Sequence, residues 1–455
     1  MEIEKSVRRL HKFYATGRTK DYAFRKVALL KLQAGIRKYE KELIKALQKD
    51  LHKSGTEAYM TEIGMTLSEL EYNLRHLKKW MRPQYVHAPI LHFPAKNYSI
   101  AEPYGVALIM APWNYPVLLC LEPLISAIAA GNCVVLKPSN YAPTVSKVLK
   151  KMLTEIYPSK YVLVIEGGRE ENQKLLDCRF DKIFFTGGAA VGKEVLKKAA
   201  ETITPVTLEL GGKSPCIVDK TANLKLAAKR IAFGKLLNAG QTCVAPDYLL
   251  LHKDIKEQFL QYFEEVLRRQ VGEDALKNPD YPRIVNEKHY HRLKKLMQAE
   301  NIRIGGYGSR DSLQIVPTIL EDVTLESPVM QEEIFGPILP VMTFSDNKEL
   351  MGIIRHFEHP LAFYLFTEDR RMKKWALRNI SFGGGCINDT IMHLVTSELG
   401  FGGVGGSGMG SYHGKSGFDC FSHKKGIVER GTWLDIAVRY QPYTKRKEKW
   451  IRKFM

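Results

Sequence analysis

Apolar residues recur along the chain with two periods, and each period predicts a different kind of element. From Ile63 the apolar positions Ile63, Leu67, Leu70, Leu74 and Leu77 step by four, three, four and three residues. That spacing lines one face of a helix. The preceding stretch, 20–51, is charged, rich in helix formers and free of proline, and predicts a long helix. Pro83, Pro89 and Pro94 then stop the helical region, and Tyr85 to Ile100 reads as extended arms. Downstream, short apolar runs alternate with helical patterns. Strands are expected at Val106–Met110, Cys133–Lys137, Tyr161–Ile165 and Lys182–Phe185, with helices at Val117–Ala130, Val145–Ile156 and Val191–Ala200. Such alternation predicts a parallel sheet covered on both faces, whose ligands gather at the C-terminal ends of the strands. After Leu208 it restarts: strand Cys216–Val218, helix Leu224–Leu237, strand Tyr248–His252, helix Lys256–Gln270. A domain boundary is therefore expected near Thr207. No fixed-period repeat is visible.

Composition narrows the class. The 455 residues are 45% hydrophobic and 26% charged, which is globular and long enough for two or three domains with a cleft between them. The most apolar stretch, Tyr104 to Leu136, is interrupted by Pro112, Asn114, Pro116, Glu122 and Pro123. It predicts a buried strand, loop, helix and second strand rather than a membrane span. The start, Met1-Glu-Ile-Glu-Lys, lacks the pattern of a signal peptide. Seven cysteines without a CxxC pair argue against a disulfide framework or a zinc site, and point to a reducing, cytoplasmic compartment. No metal site is expected.

The formal charge is +19. A positive field favours anionic ligands without choosing among them. Part of the excess sits in the tail, where Arg439, Lys445, Arg446, Lys447, Lys449, Arg452 and Lys453 face Glu448 alone. Such runs are usually solvated. The interleaved Trp450, Ile451 and Phe454 leave room for a weak membrane-surface contact. No zinc-finger, RNP-type or helix-turn-helix signature is present, so no nucleic-acid partner is expected.

Three glycine-rich segments compete for phosphate binding. Gly187-Gly-Ala-Ala-Val-Gly192-Lys193 fits a P-loop spacing, but Glu194 stands where a magnesium-binding hydroxyl belongs. What remains is a strand, a glycine turn and a helix, whose free N–H groups can face a pyrophosphate. Gly403-Val-Gly405-Gly-Ser-Gly408 formally matches GxGxxG, yet no helical sequence follows. It reads as a flexible glycine loop near the site. Gly305-Gly-Tyr-Gly308 reads as a surface turn.

Gly240-Gln-Thr-Cys243 is the sharpest chemical signal. Most buried cysteines are inert, but Cys243 follows a helix in a turn-like context. Upstream, Glu209 sits between Leu208 and Leu210. A carboxylate flanked by leucines tends toward a raised pKa, which suits a general base near neutral pH.

Six segments occur in order: Ala111-Pro-Trp-Asn-Tyr-Pro116, Leu136-Lys-Pro-Ser139, Phe185-Thr-Gly-Gly188, Leu208-Glu-Leu-Gly-Gly-Lys213, Gly240-Gln-Thr-Cys-Val-Ala-Pro246 and Glu332-Glu-Ile-Phe-Gly-Pro337. Together they resemble the aldehyde dehydrogenase superfamily. Phe401-Gly-Gly-Val-Gly-Gly-Ser-Gly-Met-Gly410 and Tyr412-His-Gly-Lys415 resemble its class 3 branch of fatty and aromatic aldehyde enzymes.

The resemblance implies an α/β fold. It has a Rossmann-like cofactor domain (1–81 and 102–207), an α/β catalytic domain (208–400) and a glycine-rich segment (401–419). A small β oligomerisation arm (82–101 with about 420–440) would pair two copies into a homodimer, and 441–455 forms the basic tail. It further implies that Cys243 attacks the aldehyde as thiolate, that the Asn114 amide and the Cys243 N–H hold the oxyanion, and that Glu209 activates the hydrolytic water. NAD or NADP would be held by Lys137, by the turn of Gly187, Gly188, Ala189, Ala190, Val191 and Gly192, and by Glu333 and Phe335. Tyr115, Phe233, Ile391, Met392 and His413 would line the substrate tunnel, with His413 either facing substrate or bracing the glycine loop.

Two departures stand out. Gly188 replaces a common Ser, and Asn140 replaces a common Glu. A carboxylate at 140 would repel a 2′-phosphate, so the neutral amide leads us to expect that NADP is accepted as well as NAD. The largely apolar tunnel favours medium- or long-chain or aromatic aldehydes over semialdehydes. The rival readings are a coenzyme A-acylating aldehyde dehydrogenase, which needs no Glu209, and a basic membrane-surface or other non-catalytic binding protein on the same fold.

Overall fold

In the computed structural model of the chain, the described residues are 2–89, 92–298, 300–357 and 359–454. Helix Glu2–Tyr14 leads into helix Tyr22–Leu51, which Asp21 caps by accepting from the Phe24 N–H. His52 ends that helix in a left-handed conformation (φ 57°). A short helix Gly55–Ala58 passes through a π-helical turn, Tyr59–Ile63, into helix Gly64–Trp80. Of the apolar stripe, Ile63, Leu70 and Leu77 are fully buried, and Leu67 and Leu74 pack against the same core.

Two mainly parallel sheets carry the molecule, each with one antiparallel edge strand, Gly408–Met409 in the first and Asn301–Ile304 in the second. The first has six strands in the order Gly408–Met409, Val206–Glu209, Lys182–Thr186, Val106–Met110, Cys133–Lys137 and Val162–Val164. All but Gly408–Met409 run parallel. Val106–Met110 and Cys133–Lys137 are buried at every position, which explains their unbroken apolar runs. Helix Leu118–Ala130 is buried all round. The second sheet orders Asn301–Ile304, Thr318–Glu321, Ile338–Phe344, Tyr248–His252, Pro215–Val218, Ala362–Phe366 and Gly384–Ile387. A third, antiparallel sheet joins Gln84–Val86, Ala95–Pro103 and Ser422–Arg430. Tyr85, Val86 and Val428 stand exposed on it.

Val206–Glu209 belongs wholly to the first sheet, so the division between the sheets falls just after Glu209. The GxGxxG segment is no flexible loop. Phe401 and Tyr412 form an antiparallel bridge, Gly405 and Gly408 another, and Gly408–Met409 adds a strand beside Leu208–Glu209. Glycine is required there by close approach: a Cβ on Gly408 would lie 2.3 Å from the Leu208 carbonyl oxygen. Among the described residues no helix is long and apolar enough to cross a membrane.

Candidate active site

Cys243 is set by a tight segment after helix Leu224–Leu236. Asn238 and Ala239 both adopt left-handed backbone (φ 52° and 50°). The Asn238 N–H donates to Glu57 Oε1 at 2.7 Å, which fixes the first of these. Gly240 (φ 73°) comes so close to Gly336 that a Cβ would lie 2.3 Å from its carbonyl oxygen. Gln241 is fully buried and saturated: its amide nitrogen donates to the carbonyls of Asn238 (2.9 Å) and Arg283 (3.0 Å), and its oxygen accepts from Val285 (3.0 Å). The Gly-Gln-Thr context of Cys243 is thus a rigid, internally bonded turn.

Two cavities meet at Cys243. The first is a polar cleft walled by Asn114, Thr186, Gly187, Gly188, Glu209, Glu333 and Phe335, with Trp113, His289 and Arg292. The second is a narrow apolar cavity walled by Tyr115, Leu118, Leu119, Leu237, Ile391, Leu394, Val395, Phe401 and Tyr412. Its polar exceptions include Glu122 and His413, whose Nε2 lies 3.3 Å from Glu122 Oε1.

The electrostatics of the cleft follow from burial. Burial, helped by the Glu333 and Glu209 carboxyls, pushes the Cys243 thiol up to about 12. Burial also holds the Glu209 carboxyl well above the usual carboxylate range. Neither Glu209 oxygen has a hydrogen-bond partner among the described residues. Glu333 is raised to about 8, first by burial and then by Asp247, while the Gly212 N–H opposes the shift. A Cβ on Gly211 would fall 2.0 Å from Glu333 Oε2, so this close contact needs glycine.

Asn114 is held at both ends. Its side-chain amide donates to the Gln241 carbonyl (3.0 Å), and its own carbonyl accepts from Asn238 Nδ2 (2.8 Å) and Lys53 Nζ (3.1 Å). The neighbouring Tyr115 hydroxyl bonds Thr242 Oγ1 at 2.6 Å.

The residues present fit a dinucleotide. Gly188 begins helix Ala189–Thr202 without a side-chain cap, and Ala189, Ala190 and Val191 in its first turn are exposed. Their N–H groups form an anion-binding terminus. Gly192 is buried against Leu210, where a Cβ would come within 2.9 Å. A Cβ on Gly188 would meet nothing within 4 Å, so the missing serine there costs a hydroxyl and not a fit. Thr186 Oγ1 is buried beside the cleft and unpartnered. Lys137 is buried at the end of its strand; its ammonium donates to Gly167 (2.6 Å) and Pro138 (2.9 Å) and does not line the cleft.

Two expected tunnel residues do not line the cavity. Phe233 is half-buried on its helix against the core, and Met392 is 46% exposed. Ile391 takes φ 64°, which turns the chain so that Ile391 faces inward and Met392 outward. Sequence reasoning missed Leu118, Leu119, Phe401 and Tyr412 in the cavity wall. The first two were legible as the start of an apolar helix beside Tyr115; the last two required knowledge of the hairpin.

A cysteine and a buried carboxylate without a partner among the described residues thus face a helix N-terminus across parallel strand ends, where a dinucleotide fits. The chain belongs to the aldehyde dehydrogenase family, whose model matches residues 1–427. It is 49% identical over 444 residues to the 4,4'-diaponeurosporen-aldehyde dehydrogenase of Staphylococcus aureus, covering 97% of this chain and 96% of that protein. It is 42% identical to aldehyde dehydrogenase family 3 member B1 of Bos taurus, covering 97% and 95%. The solved substrate-bound state of Staphylococcus aureus AldH superposes with a TM-score of 0.98 at 48% identity, covering 99% of each chain. Enzymes of this family use NAD or NADP.

Proposed function

We propose that the chain oxidises medium- and long-chain or aromatic aldehydes to carboxylic acids. The observation that carries this reading is the position of Cys243, where a polar cleft meets a narrow apolar cavity. No Lys or Arg stands among the residues lining that cavity, which favours uncharged aldehydes over those bearing a carboxylate.

In this reading the aldehyde enters through the apolar side. A thiol pushed up to about 12 attacks only as its proton leaves, and Glu209, itself shifted upward, is the base in the same cleft. Sulfur bonds to the carbonyl carbon, and the Asn114 amide with the Cys243 N–H holds the oxyanion. The bound nicotinamide supplies the hydride acceptor, and departure of the hydride leaves a thioester on Cys243. Glu209 releases the thiol proton to solvent and then takes one from an attacking water; the acid leaves, and Glu209 returns that proton to sulfur. Glu333 and the first turn of helix Ala189–Thr202 would hold the dinucleotide. The unpartnered oxygens of Glu209 favour hydrolysis over transfer to coenzyme A, which requires no such base.

Asn140 is exposed and neutral, so both NAD and NADP are accepted. The exposed arm sheet pairs two copies as a homodimer. The tail helix Lys445–Phe454, basic on one face with Trp450 exposed, rests weakly on anionic membrane surfaces.

The test is a panel of alkanals, aromatic aldehydes and semialdehydes, followed by reduced-cofactor absorbance with NAD and with NADP, with and without coenzyme A. Cys243→Ala is the control. Free carboxylic acid should form without coenzyme A. Turnover only with coenzyme A, or only on semialdehydes, would overturn the reading; a preference for one cofactor above about a hundredfold would overturn its NADP part.

A further inference from the structure

Behind Asn114 lies a pair of charges with no access to solvent. Lys53 and Glu62 are each 0% exposed, and Lys53 Nζ donates to Glu62 Oε1 at 2.6 Å. A buried ion pair is seldom a net source of stability, because desolvating both charges offsets their attraction. Its retention is better explained by what it holds in place.

The partners are specific. Glu62 Oε2 accepts from the Val117 N–H (2.7 Å) and the Leu118 N–H (3.3 Å). These are the first N–H groups of helix Leu118–Ala130, whose own N-cap residue provides no side-chain bond. Glu62 therefore caps that helix from another element, placing negative charge at its positive end. Lys53 carries the link onward to the Asn114 carbonyl (3.1 Å), and its ammonium sits 3.9 Å from the centre of the Tyr115 ring. One cation thus touches both residues that face the reacting carbon from this side: Asn114 in the polar cleft and Tyr115 in the apolar cavity.

Local geometry delivers the two charges. Left-handed His52 ends the long helix abruptly and turns Lys53 inward. Glu62 lies in the π-helical turn Tyr59–Ile63, and such turns insert a residue and re-aim the side chains around it. An ordinary helical turn would shift Glu62 by about 100° around the helix axis, away from Val117.

We infer that the Lys53–Glu62 pair is a positioning clamp that fixes the Asn114–Tyr115 turn against the nucleophile, and so governs the rate of thioester formation. The clamp touches neither substrate nor dinucleotide. It acts through Asn114, and rests on the oxyanion role proposed above for that residue. Lys53 is not replaceable by a generic hydrophobe, because its third role, lying over Tyr115, requires a cation.

A double-mutant cycle tests it. The rate of reduced-cofactor formation in a single turnover is measured for the full-length wild type, Lys53→Met, Asn114→Ala and the double variant. Lys53→Met should slow this step about 10- to 100-fold in the wild-type background, and less than about threefold in the Asn114→Ala background. Dinucleotide affinity should stay within about twofold, since a misplaced Asn114 turn leaves the phosphate-binding helix intact. Lys53→Met strands Glu62, so a second variant, Lys53→Met with Glu62→Gln, removes both charges and keeps an acceptor for the Val117 N–H. It should fold, melt near the wild type and still show the slow step. Equal loss in both backgrounds, or unchanged thioester formation in the neutral pair, would overturn the clamp. If Asn114→Ala itself loses less than about threefold, the oxyanion reading fails and the clamp fails with it.

Discussion

Glu62 and Glu209 are both buried carboxylates bordering the Asn114 turn, and their surroundings are opposite. Glu62 is 0% exposed, and its oxygens accept from a lysine and two helix N–H groups. Glu209 is 2% exposed, and neither of its oxygens has a partner among the described residues. Burial alone does not distinguish a structural acid from a reactive one. Partners do: the Glu62 oxygens are taken up by a cation and two backbone donors, and those of Glu209 are left bare. Glu122 stands between them, with one oxygen beside His413 and the other unpartnered.

Exchanging these carboxylates for neutral residues should break the molecule in different ways. The largest effect is expected at Glu209→Gln, which should lower steady-state turnover about 10²- to 10⁴-fold. Formation of reduced cofactor in the first turnover should slow as well, because the same carboxylate receives the thiol proton, with no loss in melting temperature. Undiminished steady-state turnover would remove Glu209 from the hydrolytic step. Glu62→Ala should instead lose about 3–5 kcal/mol of stability, because it strands Lys53 without its counter-charge. Chemical denaturation measures this, and a loss under about 1 kcal/mol would mean that water replaces the carboxylate without cost.

Titration of Cys243 sharpens the contrast further. A thiol raised to about 12 stays protonated at neutral pH, so the thiolate fraction grows with every step upward. Alkylation of the free enzyme by iodoacetamide should therefore quicken about tenfold per pH unit between roughly pH 7 and 10. A plateau near the ordinary thiol range would contradict the burial argument. The smallest effects are expected from Phe233→Ala and Met392→Ala, which should leave kcat/KM for a long-chain aldehyde within about twofold. Leu119→Ala, in the cavity wall, should change the preferred chain length.

What was legible in the sequence divides along the same line. The buried strands and the stripe on helix Gly64–Trp80 were readable because continuous burial and a 3.6-residue period both leave local marks. The turn at Cys243 was readable because a glycine precedes it, and the burial of Glu209 because leucines flank it. Lys53 and Glu62 were not, since a Lys and a Glu in a charged helical region look like a solvated face. Only the left-handed His52 and the π-turn bring them inside. The tunnel wall was half legible. Phe233 sits on a helix whose inward face only tertiary contacts define, and Met392 was displaced outward by the backbone of Ile391. The hairpin at Gly403–Gly410 was illegible because its register is set by a partner strand about two hundred residues away.

That hairpin has a consequence for how the molecule comes into being. The strand that bears Glu209 is flanked on one side by Lys182–Thr186, made just before it, and on the other by Gly408–Met409. Leu210 donates to the Ser407 carbonyl at 3.1 Å across the same edge. A ribosome releasing the chain from its N-terminus makes about two hundred further residues after Glu209 before this second neighbour emerges. Until then the edge beside Glu209 is an open row of backbone donors and acceptors, available to any passing strand. The edge beside Glu209 is thus covered late, by a strand that takes up the backbone groups another strand would otherwise pair with.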